Sequence, residues 1–331
     1  MARPTRRTVL ASLAASFATP ALAQSDSWTS AAEAARALPQ LHSILVARNG
    51  ETVLAEAIRG PGLEQLTNVK SVSKSIVALL LGAAIDRGVI PSVQTTLAEA
   101  APGLVPDGAD PRVANLTMEN LVTLRAGLER TSGPNYGEWV SSSNWVADAL
   151  SRPFVAEPGG RMLYSTGSFH ILGAALAEAS GESLLTLARA WLGEPLGIEV
   201  APWTRDPQGY YLGGNEMALS PRAMLRIGEM LRQGGTWDGQ QVLSPEWVEA
   251  SLTPVTRSPF SGLDYGYGWF LGDAPRGRVA IARGYGGQII AAAPEVGITA
   301  VITSDPTQPA RSEGYFGDLM NLLDREILAR A

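Results

Sequence analysis

One segment of the chain is apolar on nearly every side of a helix. Residues 71–87 carry Val72, Ile76 and Val77 followed by three successive leucines, and no polar face is wide enough to meet solvent. A helix with this pattern lies inside a protein core. The pattern therefore predicts a central buried helix, which ends where Asp86 and Arg87 close the apolar run.

Short apolar and alternating runs predict strands near both ends of the chain. They cover residues 41–48, 52–58, 279–283, 288–293 and 298–303, and Asn49-Gly50 marks a hairpin between the first two. Helical patterns fill the middle of the chain and its termini. They cover residues 30–38, 118–124, 145–150, 168–179, 184–192, 221–233, 245–251 and 316–328.

This order of elements predicts an α/β (α+β) fold. An antiparallel sheet from both chain ends is flanked by helices, and a mostly helical lobe is inserted between its halves. We expect residues 24–331 to form a single domain. Its sheet lobe comprises about residues 24–95 and 265–331, and its helical lobe about residues 96–264. The cleft between two such lobes is a usual place for a ligand site.

Composition excludes several kinds of chemistry. The net charge is −6 and the pI about 5.1, so a basic surface for nucleic acid is not expected. Cysteine is absent, which excludes disulfides, thiolate metal sites and cysteine nucleophiles. The two histidines, His42 and His170, do not have the spacing of a zinc motif, and His170 falls in an apolar helical pattern where it is expected to pack. We expect no metal and no cofactor.

The first 23 residues have the pattern of an export signal. A basic start that includes the twin arginine Arg6-Arg7 is followed by a short apolar run and an A-x-A cleavage site at residues 21–23. A membrane anchor is the alternative, but the run is too short to span a bilayer and Pro20 ends it. We expect a Tat-type signal, a periplasmic or secreted protein, and no integral membrane segment after signal removal.

Lysine is scarce in this chain: Lys70 and Lys74 are the only two among 26 lysine and arginine residues. Arginine keeps its proton under ordinary conditions, whereas a buried lysine can lose it. Lys74 lies three residues after Ser71 at the predicted helix start, so both share one face. A serine hydroxyl needs a base, which a desolvated amine can be. Lys70 precedes the helix and is expected to be solvated.

The spacing of Ser71 and Lys74 alone does not decide between a catalytic pair and a chance occurrence of S-x-x-K. Other serine chemistries have less support, because no G-x-S-x-G motif is present. A Ser-His-Asp triad would need His42 or His170.

The stretch S-V-S-K-S at residues 71–75 resembles the S-x-x-K motif of the serine β-lactamase and penicillin-binding superfamily. The resemblance is closest to its class C-like branch, which includes esterases, D-aminopeptidases and 6-aminohexanoate-dimer hydrolases. It extends over most of the chain after the signal, through L-T-M-E-N-L-V-T-L-R-A-G-L (116–128), E-P-G-G-R-M-L-Y-S-T-G-S-F-H-I-L-G (157–173), G-G-N-E-M-A-L-S-P-R-A-M (213–224) and G-G-T-W-D-G-Q-Q-V-L-S-P-E-W-V (234–248).

The resemblance implies roles for individual residues. Ser71 matches the nucleophile, Lys74 its base, and Tyr164 the tyrosine of a Y-x-N motif that exchanges protons with the serine and the leaving group. The pKa of that phenol is expected to be shifted down by a nearby cation, for which Lys74 is the candidate. G-Y-G-G-Q matches the third motif, with Tyr285 opening its triplet.

The same motif implies an oxyanion hole. Its two donors would be the backbone N–H groups of Ser71 and Gln288, and Gly287 and its neighbours would let a substrate approach the strand. A plain glycine-rich hairpin is the alternative for this stretch.

Two positions depart from the pattern of β-lactamases proper. Thr166 stands where asparagine is usual, and Tyr285 stands where lysine or histidine is usual. The cation that would bind a substrate carboxylate is therefore missing. Arg283, two residues earlier on the same strand face, is expected to take its place.

The sequence thus predicts a secreted serine hydrolase that forms an acyl-enzyme on Ser71. Its substrate would be a small molecule or peptide, with an ester favoured, then an amide, then a β-lactam or D,D-peptide. Two other functions stay open: a penicillin-binding sensor that acylates without turnover, and a non-catalytic scaffold with the same fold.

Overall fold

The first and last long strands of the chain pair with each other. The computed structural model describes the backbone of residues 21–330 and the side chains of residues 28–330. The strands are β1 (Leu41–Arg48), β2 (Glu51–Ala57), β3 (Thr67–Asn68), β4 (Ala218–Leu219), β5 (Thr236–Trp237), β6 (Gln240–Gln241), β7 (Thr256–Arg257), β8 (Asp264–Tyr265), β9 (Phe270–Asp273), β10 (Arg278–Gly284), β11 (Gln288–Ala293) and β12 (Ile298–Ser304).

Eight of these strands form one antiparallel sheet in the order β2-β1-β12-β11-β10-β9-β8-β7. The β1–β12 pair joins the two ends of the chain, with Ile44 opposite Ile302 and Val46 opposite Ala300. Both faces of β11 and β12 are fully covered, because every residue in these strands is buried. The predicted sheet from both chain ends is confirmed.

Thirteen α-helices surround and interrupt this sheet in the described part of the chain. They are α1 (Ala21–Ala37), α2 (Val72–Asp86), α3 (Leu97–Ala100), α4 (Pro111–Ala114), α5 (Met118–Val122), α6 (Tyr136–Val140), α7 (Trp145–Ser151), α8 (Thr166–Ser180), α9 (Leu184–Ala188), α10 (Glu194–Leu196), α11 (Pro221–Arg232), α12 (Pro245–Leu252) and α13 (Tyr315–Asn321). Helices α9 and α13 continue as π-helical turns over Arg189–Gly193 and Leu322–Ile327.

The structure contains short elements that the sequence patterns did not predict, namely helices α3, α4, α6 and α10 and strands β3 to β9. Strands β7 and β8 are two residues long, too short for an alternating pattern to show, and β7 lies within the residues expected to form the helical lobe. Helix α1 begins at Ala21, nine residues before the predicted start. Residues 1–20 of the predicted export signal lie outside the described residues.

Helix α2 is the buried centre predicted from the sequence. Its residues from Val72 to Ala84 are all buried, and it packs against α8 and against β10 and β11 of the sheet. The N-terminus of α2 therefore meets the N-terminus of α8 and the end of β10, which is where Ser71, Thr166 and Arg283 lie. This packing brings together residues that are more than 200 positions apart in sequence.

No single helix among the described residues has the length and hydropathy of a membrane span. The bent pair Thr166–Ser180 and Leu184–Leu196 meets that test only when taken together across an 87° bend.

Gly82 offers a test of how closely α2 packs. A Cβ at this position would come within 2.4 Å of the Trp247 indole on α12. We expect Gly82→Ala to lower stability, because overpacking costs about 1–3 kcal/mol and exceeds the gain in helix propensity of about 1 kcal/mol. Gly137→Ala at an exposed position of α6 is the control, since its Cβ would meet nothing within 4 Å. Equal or greater stability of Gly82→Ala in urea denaturation would contradict the packing described here.

Candidate active site

Ser71 is the N-cap residue of α2, yet its hydroxyl does not cap the helix. An N-cap serine usually accepts a hydrogen bond from a backbone N–H of the first turn. Ser71 makes no such bond; its φ and ψ angles of −70° and −3° are already helical. Its Oγ lies 3.0 Å from the Nζ of Lys74 instead. The hydroxyl is therefore free of the backbone and paired with an amine.

The amine of Lys74 is almost completely removed from water, since the residue is 2% exposed. Burial lowers its pKa from 10.5 to about 7. No Asp or Glu in the described part of the chain forms an ion pair with it, so nothing offsets the lost hydration of an ammonium group. Burial thus favours the neutral amine near neutral pH.

Three oxygen atoms surround the Lys74 amine, a set that serves a neutral amine as well as an ammonium group. Besides Ser71 Oγ, its Nζ contacts the carbonyl oxygen of Gly214 at 2.6 Å and Thr166 Oγ1 at 3.3 Å. A neutral amine has two N–H groups and one lone pair. Two donated bonds go to Gly214 and Thr166, and the lone pair remains for the proton of the Ser71 hydroxyl. This arrangement makes the amine a base directed at the serine.

Tyr164 lines the same cavity as Ser71, and the serine hydroxyl acts on the pKa of its phenol. Burial raises the pKa of Tyr164, while the Ser71 hydroxyl and the charge of Arg283 lower it in part. The expectation of a net lowered pKa is therefore wrong, because desolvation of the phenolate is the larger effect. The expected cation is also wrong, since Arg283 acts on the phenol and Lys74 has lost much of its charge. Tyr164 is a neutral proton donor near pH 7.

Thr166 is the first residue of α8, at the position where the related motif has asparagine. Its hydroxyl contacts Lys74, and its backbone N–H donates to Ser132 Oγ at 2.8 Å. A second contact joins the two hydroxyls of Ser132 and Thr166 at 2.9 Å. The substitution thus supplies a further acceptor for the Lys74 amine in place of a side-chain amide.

Arg283 is a half-buried cation that no carboxylate neutralises among the described residues. It donates a hydrogen bond to Ser312 Oγ at 3.1 Å, and its guanidinium lies 3.4 Å from the centre of the Phe316 ring. Burial lowers its pKa to about 10, so it stays charged at neutral pH. An unneutralised guanidinium in such a place favours an anionic ligand.

Gly287 and Gln288 do not lie on the wall of the cavity that Ser71 lines. The Gln288 side chain is fully buried and exchanges hydrogen bonds with the backbone of Ser304, at 2.8 and 3.2 Å. The glycines of this motif allow close packing of the protein on itself. A Cβ on Gly284 would lie 2.3 Å from the Val69 carbonyl, and one on Gly286 would lie 2.4 Å from the Asp305 carbonyl. Gly284 also lines the cavity, as the expected close approach of a substrate requires, whereas Gly286 and Gly287 meet protein atoms.

A cavity of about 580 Å³ opens over Ser71. One part of its wall is polar, and it carries Lys70, Ser132, Tyr136, Thr166, Asn215 and Glu216. Another part is mostly apolar, and it carries Phe260, Phe270, Tyr285, Pro306 and Ala310 beside Arg283 and Ser312. Phe260 and Tyr285 are 59% and 52% exposed, so they stand at the mouth. The cavity therefore suits a small molecule with both apolar and polar parts.

Lys70 is not the solvated residue that the sequence suggested. It lines the cavity, and its Nζ lies 3.0 Å from Glu216 Oε1. Neither Glu216 nor Asn215 is a candidate from the sequence, because the resemblance of the stretch 213–224 implies no role for its individual residues. The sequence signal that points to Lys70 is the scarcity of lysine, because Lys70 shares it with Lys74.

The described residues contain no group of three or more His, Asp or Glu side chains that fits a metal ion. His170 is fully buried, as expected, and its Nε2 lies 3.0 Å from Asp206 Oδ2. This pair belongs to the packing between α8 and the segment that follows α10, and it is separate from the cavity wall.

Comparison with known proteins gives evidence on the family and on the fold. The model of the β-lactamase family matches residues 36–321. A comparison with curated proteins finds no match.

Among solved structures, EstCE1, a hydrolase with promiscuous acyltransferase activity, is similar with a TM-score of 0.77. The identity is 18%, over 93% of this chain and 100% of that one. A protein assigned as a 6-aminohexanoate-dimer hydrolase from Bacillus anthracis has a TM-score of 0.71 at 16% identity, over 86% of this chain and 78% of that one. A D-stereospecific amidohydrolase from Streptomyces sp. has a TM-score of 0.69 at 17% identity, over 89% and 97%. At these identities the likeness establishes the fold.

The lowered pKa of Lys74 predicts a pH-dependent stability. Between pH 7 and 10.5 the unfolded chain binds one proton more at this residue than the folded chain, so its contribution to stability rises with pH. We expect Lys74→Met to be more stable than wild type at pH 7, and this advantage to shrink by about 1.4 kcal/mol per pH unit up to pH 9. Urea denaturation at pH 7, 8 and 9 measures it. A difference that does not change with pH would contradict the burial of an uncharged amine.

Proposed function

Because the chain belongs to the β-lactamase family, we propose that it is a serine hydrolase that cleaves an ester or amide bond through an acyl-enzyme on Ser71. The observation that supports this most strongly is the distance of 3.0 Å between Ser71 Oγ and a buried amine whose pKa is near 7. A serine hydroxyl becomes a competent nucleophile only when such a base can take its proton.

The contacts around Ser71 suggest an order of proton transfers. The neutral amine of Lys74 accepts the hydroxyl proton as Ser71 Oγ bonds to the substrate carbonyl carbon. The neutral phenol of Tyr164 gives its proton to the leaving oxygen or nitrogen as the scissile bond breaks, and the proton held by Lys74 then restores the phenol. In deacylation, water takes the place of the leaving group. It gives a proton to Tyr164 as its oxygen bonds to the acyl carbon, the phenol's own proton passes to Lys74, and Lys74 returns a proton to Ser71 Oγ as the acid is released.

An oxyanion hole needs two donors near Ser71. The backbone N–H of Ser71 at the start of α2 is the first. For the second we propose the backbone N–H of Tyr285 in place of Gln288, since Tyr285 lines the cavity with Ser71 and Gln288 does not. The close approach of Gly284 to Val69 supports this proposal, because it brings the end of β10 beside the residues that precede Ser71.

Ester cleavage is the favoured reaction, followed by amide cleavage. Tyr285 and Thr166 stand at positions where β-lactamases proper have other residues, which disfavours a β-lactam substrate. The similar structures include a hydrolase, a dimer hydrolase and an amidohydrolase, which fits an ester or amide. A sensor that acylates without turnover would give one burst of product and no steady state, whereas an enzyme would continue to release product.

The place of action is a further proposal. The twin arginine and the A-x-A site in residues 1–23 favour export through a Tat-type route to the periplasm or beyond. The substrate would then be a small molecule or a peptide met outside the cytoplasm, and no nucleic-acid partner is proposed for this acidic chain.

The base assignment is tested by Lys74→Arg. We expect this variant to lose p-nitrophenyl butyrate turnover by about 10²–10⁴-fold, nearly as much as Lys74→Ala, because arginine keeps the charge and cannot accept the proton. Ser71→Ala should lose all turnover while the fold, checked by circular dichroism, stays intact. Activity retained in Lys74→Arg would refute the base, and activity retained in Ser71→Ala would refute the nucleophile.

Arg283 is expected to select substrates that carry a carboxylate. For Arg283→Ala we expect kcat/KM to fall about 10- to 100-fold for p-nitrophenyl hemiglutarate, and much less for uncharged p-nitrophenyl valerate, since a charged hydrogen-bond donor is lost. Arg278→Ala on the same strand is the matched control, because Arg278 is more exposed and pairs with Asp264. An equal loss with both esters would remove this role from Arg283.

A further inference from the structure

Two charged residues on the cavity wall have a strained backbone. Lys70 has a φ of +51° and Glu216 a φ of +68°, a region that non-glycine residues rarely occupy. Asn49, Asp238 and Leu124 share this feature. Asn49 and Asp238 each lie in a hairpin turn where it is common, and Leu124 lies just after the end of α5, away from the cavity wall. Lys70 and Glu216 instead line the cavity and form an ion pair with each other. Strain that persists beside a reactive group indicates that neighbouring contacts maintain it.

The contacts that maintain it join residues 68–74 to residues 214–217. Glu216 receives hydrogen bonds from the Lys70 amine and from the Asn68 side-chain amide. The N–H of Val69 donates to the carbonyl of Met217, and the N–H of Met217 donates to Ser73 Oγ at 3.2 Å. The segment 214–217 thus fixes the backbone on both sides of Ser71.

The same segment also fixes the base. The carbonyl of Gly214 accepts the hydrogen bond of 2.6 Å from Lys74 Nζ, two residues before Glu216. The carbonyl of Lys70 accepts a bond of 2.6 Å from Ser73 Oγ, which holds the strained residue against the first turn of α2. The nucleophile, its base and the strained peptide between Lys70 and Ser71 are therefore held by one short segment.

We propose that the Lys70–Glu216 ion pair is a positioning device, which holds the peptide between Lys70 and Ser71 so that the Ser71 hydroxyl and backbone N–H face the substrate carbonyl. The inference rests on the proposed function. Without the pair, this peptide is free to leave the positive-φ conformation, and both groups of Ser71 turn with it. The two charges neutralise each other, so the pair acts on the backbone, and Arg283 remains the cation that meets a charged substrate.

Kinetics with an uncharged ester distinguish a positioning role of the ion pair from a role in binding a charged substrate. For Glu216→Gln and Lys70→Met, we expect the acylation rate with p-nitrophenyl butyrate to fall about tenfold while KM changes less than twofold. The charge-reversed double variant Lys70→Glu/Glu216→Lys should recover at least a third of the wild-type rate. Asp264→Asn, which breaks the ion pair with Arg278 at the sheet edge, is the control and should leave the rate unchanged.

Strain gives a second readout that a merely structural role would not produce. Lys70→Gly removes both the ion pair and the strain, since glycine adopts positive φ without cost. We expect its melting temperature to equal or exceed that of wild type while its acylation rate falls about tenfold. Asp238→Gly, in the exposed turn between β5 and β6, is the control in which strain is relieved and the rate does not change.

Single variants that keep their rate within twofold, or a double variant no faster than the slower single one, would overturn the positioning role. A loss of rate in Lys70→Gly that only accompanies a lower melting temperature would also overturn it. Stoichiometric labelling of wild-type Ser71 by a fluorophosphonate separates this failure from that of the proposed function. If Ser71 is not labelled, the function fails; if it is labelled and the variants behave as wild type, the positioning role alone fails.

Discussion

The amine of Lys74 is held where water is excluded and where no carboxylate among the described residues compensates its charge. An ammonium group in that position is costly, so the protein favours the neutral form and gains a base at ordinary pH. Helix α2 holds the amine in this position, because it is buried along nearly its whole length and all its other buried residues are uncharged. The hydroxyl of Ser71, the phenol of Tyr164 and the carbonyl of Gly214 are all arranged around this one nitrogen or its partner serine.

Much of the fold was readable from the sequence because long periodic segments dominate it. The apolar helix at residues 71–87 and the strands at 41–48 and 288–293 each bury a continuous run, and a run of that length has few alternative structures. The two-residue strands β7 and β8 were not readable, because pairing at a sheet edge fixes them and no pattern within two residues records it. The sequence also could not show which residues of the glycine-rich hairpin line the cavity and which pack against the protein. Its glycines meet backbone carbonyls of distant segments, and such contacts exist only once the chain is folded.

For the site, the scarcity of lysine is the most informative signal in the sequence, and it points to Lys70 as well as to Lys74. Ser71, Lys74 and Tyr164 come together as the motif implied, and Thr166, Tyr285 and Arg283 line the cavity with Ser71 and Tyr164. The partner of Lys70 could not be inferred, because Glu216 lies 146 residues away in a stretch without chemical features of its own. The direction of the Tyr164 pKa shift was wrong for a related reason. Burial, which decides it, depends on the complete core around the phenol.

The presence of only two lysines makes the central claim directly measurable. Lysine labelled with ¹³C at the ε carbon gives two signals in the folded protein, and Lys70→Met leaves the signal of Lys74 alone. The account predicts that the chemical shift of this carbon titrates with a midpoint near pH 7. A midpoint above pH 10 would mean that the amine keeps its proton whenever the enzyme works, and the assignment of Lys74 as the base would be contradicted.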